Sequence, residues 1–299
     1  MTAATAGEGR RFTLQRPTIE IAVAELRFQG DIPDLDEHHA LAFRAGLRDV
    51  GFEFSTMTPS IQQELTVSFD ANGGQAVTGM AVRSWVLLDE ALGVQLSLQP
   101  NALIVQAAKY DRWSMSLEPI LKAALPIAAN ICKPGLRTRV GLRYVNRVPD
   151  PDVSSVAGWS GRIANALLGP LLDESFAATL LEAHQVLSLK NADGTRTVLR
   201  HGPFTDPSQI ATFGYLIDID VFDERTEAYT TDDTLAAFTR LNRLAADVFL
   251  RALDPDFALT CGLVYDAETS MKASRANVHG GASVRQTAPI VVAAEEGHT

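Results

Sequence analysis

Apolar and polar positions alternate most sharply in Leu136–Val148, LRTRVGLRYVNRV. Successive side chains of a strand point to opposite faces. Arg137, Arg139, Arg143 and Arg147 therefore share one face, and Thr138, Val140, Leu142, Tyr144, Asn146 and Val148 the other. The stretch reads as a strand that is apolar and aromatic on one side and carries a row of guanidiniums on the other. Further strand-like runs are Pro17–Phe28, Gln63–Asp70, Arg83–Asp89, Val94–Gln99, Ala102–Lys109 and Phe213–Phe222. In the last of these Tyr215, Ile217, Ile219 and Val221 alternate with Asp218 and Asp220. His184–Lys190 and Thr195–His201 read as a hairpin around Asp193-Gly194, a dipeptide suited to a two-residue turn.

Helical spacing appears in three longer stretches. In Leu35–Val50 the residues Ala40, Phe43, Leu47 and Val50 form one stripe, with Asp34 or Asp36 as cap and Gly51 as stop. From Ser114 or Ser116 to Cys132 the apolar face is Leu117, Ile120, Ala124, Ile127 and Ile131, and Pro126 inside it predicts a kink. Asp232–Ala252 keeps three-four spacing at Leu235, Phe238, Leu241, Ala245, Val248 and Ala252, and Thr230 with Asp233 fits a capping box. Gly161–Leu181 reads as a fourth helix, broken near Gly169-Pro170.

Hairpins mixed with single helices predict an α+β fold, an antiparallel sheet with helices packed on one side. The body is expected to span 16–264, between 1–15 and 265–299, whose small and polar residues predict disorder. The body can also be written as two similar halves, 17–132 and 136–253, each strand, helix, strands, helix. Leu26-Arg27-Phe28 followed by Pro33 matches Leu142-Arg143-Tyr144 followed by Pro149. If the halves are copies, a pseudo-twofold axis relates their leading strands and a groove between them is the natural ligand site.

Four segments together carry a resemblance: PTIEIAVAELRF at the start, Tyr110-Asp-Arg-Trp113 before the central helix, GLRYVNR after it, and LIDIDVF before the last helix. With them the chain resembles a sporadically distributed bacterial family of uncharacterised proteins, over roughly 17–253. The resemblance implies an intact fold and brings no activity, substrate or catalytic residue. It also implies a Leu-His pair in the final helix, where this chain has Leu241-Asn242, so a histidine role there is not carried over.

Composition narrows the function classes. A formal net charge of -10 argues against general nucleic-acid binding, which needs a positive field. Two cysteines, Cys132 and Cys261, make neither a disulfide framework nor a zinc cluster. MTAATAGEGRR has no apolar core of a signal peptide, and the most apolar run, LKAALPIAANIC, is short and holds a proline. A cytoplasmic protein off the membrane is the expectation. No glycine-rich nucleotide loop occurs, so no cofactor is expected. Gly158-Trp159-Ser160-Gly161 lacks the spacing and the preceding strand of a nucleophile elbow. Trp85, Trp113 and Trp159 are too scattered for a stacking platform and read as packing residues.

Four arginines in an acidic chain need partners. The leading reading is a ladder of ion pairs with Asp218, Asp220 and Glu25; Arg139, Arg143 and Arg147 clamping an anion is the functional reading, and a solvated face a third. Arg143, mid-strand, is expected to be buried against Asp218 or Asp220, with Glu25 as second choice. Asp218 and Asp220 could instead serve a cation or acid–base chemistry. With a two-residue turn His184 and His201 share a face diagonally, and no third metal ligand follows. His38 and His39, adjacent on a helix, diverge by about 100° and face solvent. Function is expected to be non-enzymatic binding of a partner protein or small anionic ligand at Arg139, Arg143, Arg147, Asp218 and Asp220. The alternative is an enzyme using the Asp218/Asp220 pair with an arginine or histidine.

Overall fold

The computed structural model describes residues 12–13, 18–30, 35–69, 75–177, 179–180, 183–205 and 213–265. The two tails expected to be disordered lie almost wholly outside the described residues. The chain runs β1 (Phe12–Thr13), β2 (Ile19–Gly30), α1 (Glu37–Asp49), β3 (Thr56–Phe69), β4 (Gln75–Asp89), β5 (Val94–Gln99), β6 (Ala102–Ala107) and α2 (Leu117–Cys132). It continues with β7 (Pro134–Pro149), two single helical turns α3 (Asn165–Leu168) and α4 (Glu174–Ala177), β8 (Gln185–Lys190), β9 (Arg196–Thr205), β10 (Phe213–Asp223), β11 (Glu227–Ala228), α5 (Thr231–Ala252), α6 (Pro255–Thr260) and β12 (Val264–Tyr265).

The fold is α+β. One antiparallel sheet has the order β3-β4-β5-β6-β2-β7-β10-β9-β8, with β11 added beside β7, and β1 pairs with β12 in a small second sheet. The arginine strand β7 lies at the centre, between β2 and β10. From the centre outward each half reads alike: leading strand, then the last strand of its meander, then the earlier ones in reverse.

The apolar faces meet as the alternation predicts. Ala22, Ala24, Leu26 and Phe28 of β2, Val140, Leu142, Tyr144 and Val148 of β7, and Tyr215, Ile217, Ile219 and Val221 of β10 are all buried in one core. Phe43 and Leu47 of α1, Leu121 and Leu125 of α2, and Phe238 and Leu241 of α5 cover them. Burying each such side chain fully contributes about 1.5–3 kcal/mol. Asp36 caps α1 through the His39 amide and Thr230 caps α5 through that of Asp233. Gly51 has φ +93°, a left-handed stop that suits glycine. α2 continues through Pro126.

Three expectations are corrected. Among the described residues of Gly161–Leu181 one continuous helix is replaced by short helical turns, Asn165–Leu168, Gly169–Leu172 and Glu174–Ala177, with the break at Gly169 as expected. The β8–β9 connection is a five-residue loop, 191–195, because Asp193 accepts from the amide and hydroxyl of Thr195 and Asn191 bonds back to Thr195. This shifts the register by one, so His201 lies opposite Gln185 and faces away from His184. Finally, the β2–β7 register slips between Arg27/Arg139 and Phe28/Arg137. That β-bulge turns Arg137 off the arginine face. Its guanidinium is buried and bonds the carbonyl of Asp233 at 3.1 Å and the carboxylate of Glu227.

Candidate functional site: the charged face of the sheet

Among the described residues no helix packs on the second face of β2, β7, β10 and β9. Arg139, Arg143 and Arg147 of β7 lie there beside Glu25 and Arg27 of β2, Asp218 and Asp220 of β10, and Arg200 of β9. Register places Asp220 opposite Arg143, yet Arg143 reaches diagonally to Asp218, with Nε to Oδ1 at 3.0 Å and Nη2 to Oδ2 at 3.1 Å. Arg200 Nη1 bonds the same carboxylate at 3.1 Å from the opposite side. Asp218 thus sits between two guanidiniums.

Burial is distributed differently from expectation. The Asp218 side chain is 3% exposed, whereas Arg143 is 31% and Arg200 41% exposed. The group that must not be left unpaired is the carboxylate. The physical reason is length: a carboxylate rooted in the sheet cannot leave it, while an arginine buries its stem and keeps its head near water.

Arg139 gathers the next cluster. Its Nε bonds Glu25 at 2.8 Å, its Nη2 lies 3.4–3.5 Å from Asp220, and its Nη1 lies 3.4 Å from Glu224. Its guanidinium also lies over the Phe222 ring at 4.1 Å. Glu25 is shared with Arg27 at 2.7 Å. Arg147 pairs with Glu20 at 2.9 Å and lies 5.2 Å from the Phe204 ring centre. An apolar island, Val145 with Ile19, Ile21, Val23 and Leu216, interrupts the charges.

Burial pushes the Glu25 and Asp220 carboxyls up, and the outcome at each depends on the arginines. At Glu25 hydrogen bonds from Arg27 and Arg139 outweigh burial and hold the carboxyl below its ordinary range. At Asp220 burial dominates over the more distant arginines, and the carboxyl is raised.

The other candidates fall elsewhere. His201 is in the core; its Nδ1 lies 2.9 Å from the Tyr215 hydroxyl, and burial lowers its pKa. No group of three or more His, Cys, Asp or Glu suited to a metal occurs among the described residues. His39 Nδ1 is 2.6 Å from Asp36, and His38 is exposed. Cys132 and Cys261 are buried, and burial pushes the Cys132 thiol up to about 12. Trp85 and Trp159 are core residues, and Trp113 packs against the core.

Two arrangements were not anticipated from sequence. The Tyr110 and Tyr144 hydroxyls are 3.1 Å apart, and Tyr144 donates to Asn242 Oδ1 at 2.6 Å. Since Tyr144 spends its proton on Asn242, Tyr110 must donate to Tyr144. This chain ties the segment after β6 to β7 and α5, through the position where the resemblance implies histidine. A second site, a cleft of about 360 Å³, is lined by Leu41, Arg44, Ala45, Arg48, Glu53 and Phe54. The clue to it was a second helix stripe on α1, Leu41–Arg44–Ala45–Arg48, at three-four spacing beside the core stripe. No described helix is long and apolar enough to cross a membrane. Comparison with family models, with curated proteins and with solved structures finds no match.

Proposed function

We propose that the chain is a non-enzymatic binding protein and that the charged face of its sheet is the recognition surface, for an acidic stretch of a partner protein or a small anionic ligand. The observation that carries this reading is the double hold on Asp218, with Arg143 and Arg200 still 31% and 41% exposed. Carboxylates of the fold orient these guanidiniums beforehand, which reduces the ordering cost of binding. Arginine beside aromatic rings, as with Arg147 at Phe204, is a common composition of binding hot spots. A chain with two cysteines and no disulfide framework suits a reducing compartment, and we take it to act in the cytoplasm.

The test is titration calorimetry with inorganic phosphate, citrate and a poly-glutamate peptide against wild type and Arg147→Glu/Arg200→Glu. The reading expects at least one probe to bind in a salt-sensitive way and to weaken at least about tenfold in the variant. Equal binding by both proteins, or none by any probe, contradicts it. One observation favours an enzyme instead: the raised Asp220 carboxyl beside Arg139 is poised nearer to neutral pH than an ordinary aspartate. That reading requires Asp220→Asn to abolish a turnover that the wild type performs.

We also read 17–132 and 136–253 as copies of one unit. The spacing that separates Leu26 from Leu142 also separates Glu25 from Gly141, and these two residues pair directly across β2 and β7. A pseudo-twofold axis through that pair passes the middle of both strands.

A further inference from the structure

The cleft beside α1 is built from groups of both signs. Arg44 and Arg48 stand one turn apart on the same helix face, a like-charge pair that disfavours an isolated helix slightly unless an anion lies between. Neither has a carboxylate within ion-pair distance among the described residues. Arg44 is fixed by the facing segment: its Nε donates to the carbonyl of Phe54 at 2.9 Å and its Nη2 to that of Ser55 at 3.2 Å. Glu53, on that same segment across the cleft, also has no ion-pair partner among the described residues. Leu41, Ala45 and Phe54 supply the apolar lining, and Leu41 remains half exposed. A volume of about 360 Å³ falls in the lower part of the range of small-molecule sites.

We propose that this cleft binds an apolar α-amino acid as its zwitterion. The carboxylate lies against Arg48 and Arg44 on the helix, the ammonium against Glu53 on the opposing segment, and the side chain against Leu41, Ala45 and Phe54. The two charges of an amino acid are joined through one carbon, so they match guanidiniums on a helix and a carboxylate on the next segment that line the same cleft. A site with two guanidiniums and one carboxylate accepts a zwitterion and keeps a single positive charge, which suits a free carboxylate better than an amide. The inference is independent of the role given to the sheet face.

Titration calorimetry on the full chain decides it, with L-leucine and L-phenylalanine as probes, and leucinamide and N-acetyl-leucine as ligands lacking one charge. Saturable binding of at least one amino acid is expected, reduced at least about tenfold for both single-charge analogues and in Arg48→Gln and Glu53→Gln. Both substitutions are at exposed positions and leave the core intact. No heat for either amino acid up to about 10 mM overturns the proposal. So does N-acetyl-leucine binding as well as leucine, or binding indifferent to both substitutions.

Discussion

Asp218 and Asp220 stand two residues apart on one strand face and differ in what surrounds them. Asp218 is held by Arg143 and Arg200 at 3.0–3.1 Å, whereas Asp220 has the looser approach of Arg139 at 3.4–3.5 Å, with Arg200 and Arg143 acting on it by charge from farther off. Because burial raises the Asp220 carboxyl, its ionised form is less favourable in the folded than in the unfolded chain above pH 3.8. Asp220→Asn is therefore expected to leave the melting temperature unchanged or to raise it, a change of at most about 0.5 kcal/mol. Asp218→Asn should lower it, since two charge-assisted pairs are lost together. A thermal melt of the two variants at pH 7 checks the order, and the reverse order contradicts this assignment. Asn242 belongs to the same scale. Asn242→Leu removes the acceptor of the Tyr144 hydroxyl and should cost about 1–3 kcal/mol by chemical denaturation. Asn242→His can still accept that bond while neutral, so it should keep near-wild-type stability at pH 8 and lose it on acidification.

At the scale of elements, strand alternation located Arg139, Arg143 and Arg147 on one face and the apolar face of β10, and three-four spacing located the stripes of the long helices except at Val50, which ends α1 and is exposed. Alternation failed at Arg137, which lies beyond the bulge and so points to the opposite face from Arg139. A bulge is set by what the displaced side chain gains, here Asp233 at the start of α5 and Glu227 of β11, which are remote in sequence. The hairpin histidines failed for a related reason: the Asp193 side chain selects a longer loop than the Asp-Gly dipeptide suggests. The salt-bridge partners of β7 were legible because candidate carboxylates lie on strands of matching face. Their order was not, since diagonal pairs depend on sheet twist and side-chain length. Arg137→Gln should loosen the junction of β7 with the α5 N-terminus at a cost of about 1.5–3 kcal/mol. Hydrogen exchange should then rise in the first turns of α5; unchanged protection there would show that the bulge is not held by this arginine.

Across the whole molecule the core lies between the sheet and its helices, while the opposite face of β2, β7, β10 and β9 carries paired charges around an apolar island. pH separates the two. His201 is buried and its pKa is depressed, so the unfolded chain binds its proton first as pH falls. Its contribution is intact above an unfolded value of about 6.5 and declines below it until the folded value is reached. Glu25 has a lowered carboxyl, and its contribution is intact above 4.5 and is lost as pH falls through the folded value. Stability should decline first through the core and then through the charged face. Melting temperature against pH should therefore be less steep just below pH 6.5 for His201→Gln than for wild type. Equal slopes would remove His201 from the account.

The double hold on Asp218 is the claim from which the rest of the charged face follows, and a double-mutant cycle in urea measures it. Either arginine alone keeps the buried carboxylate paired, so Arg143→Ala and Arg200→Ala should each cost about 1 kcal/mol, as half-exposed pairs do. Removing both leaves a desolvated carboxylate alone, at about 3–5 kcal/mol, more than the single losses combined. If Arg143→Ala by itself costs the full amount, or if the double variant loses no more than the two singles together, Asp218 is not the shared anchor of this face.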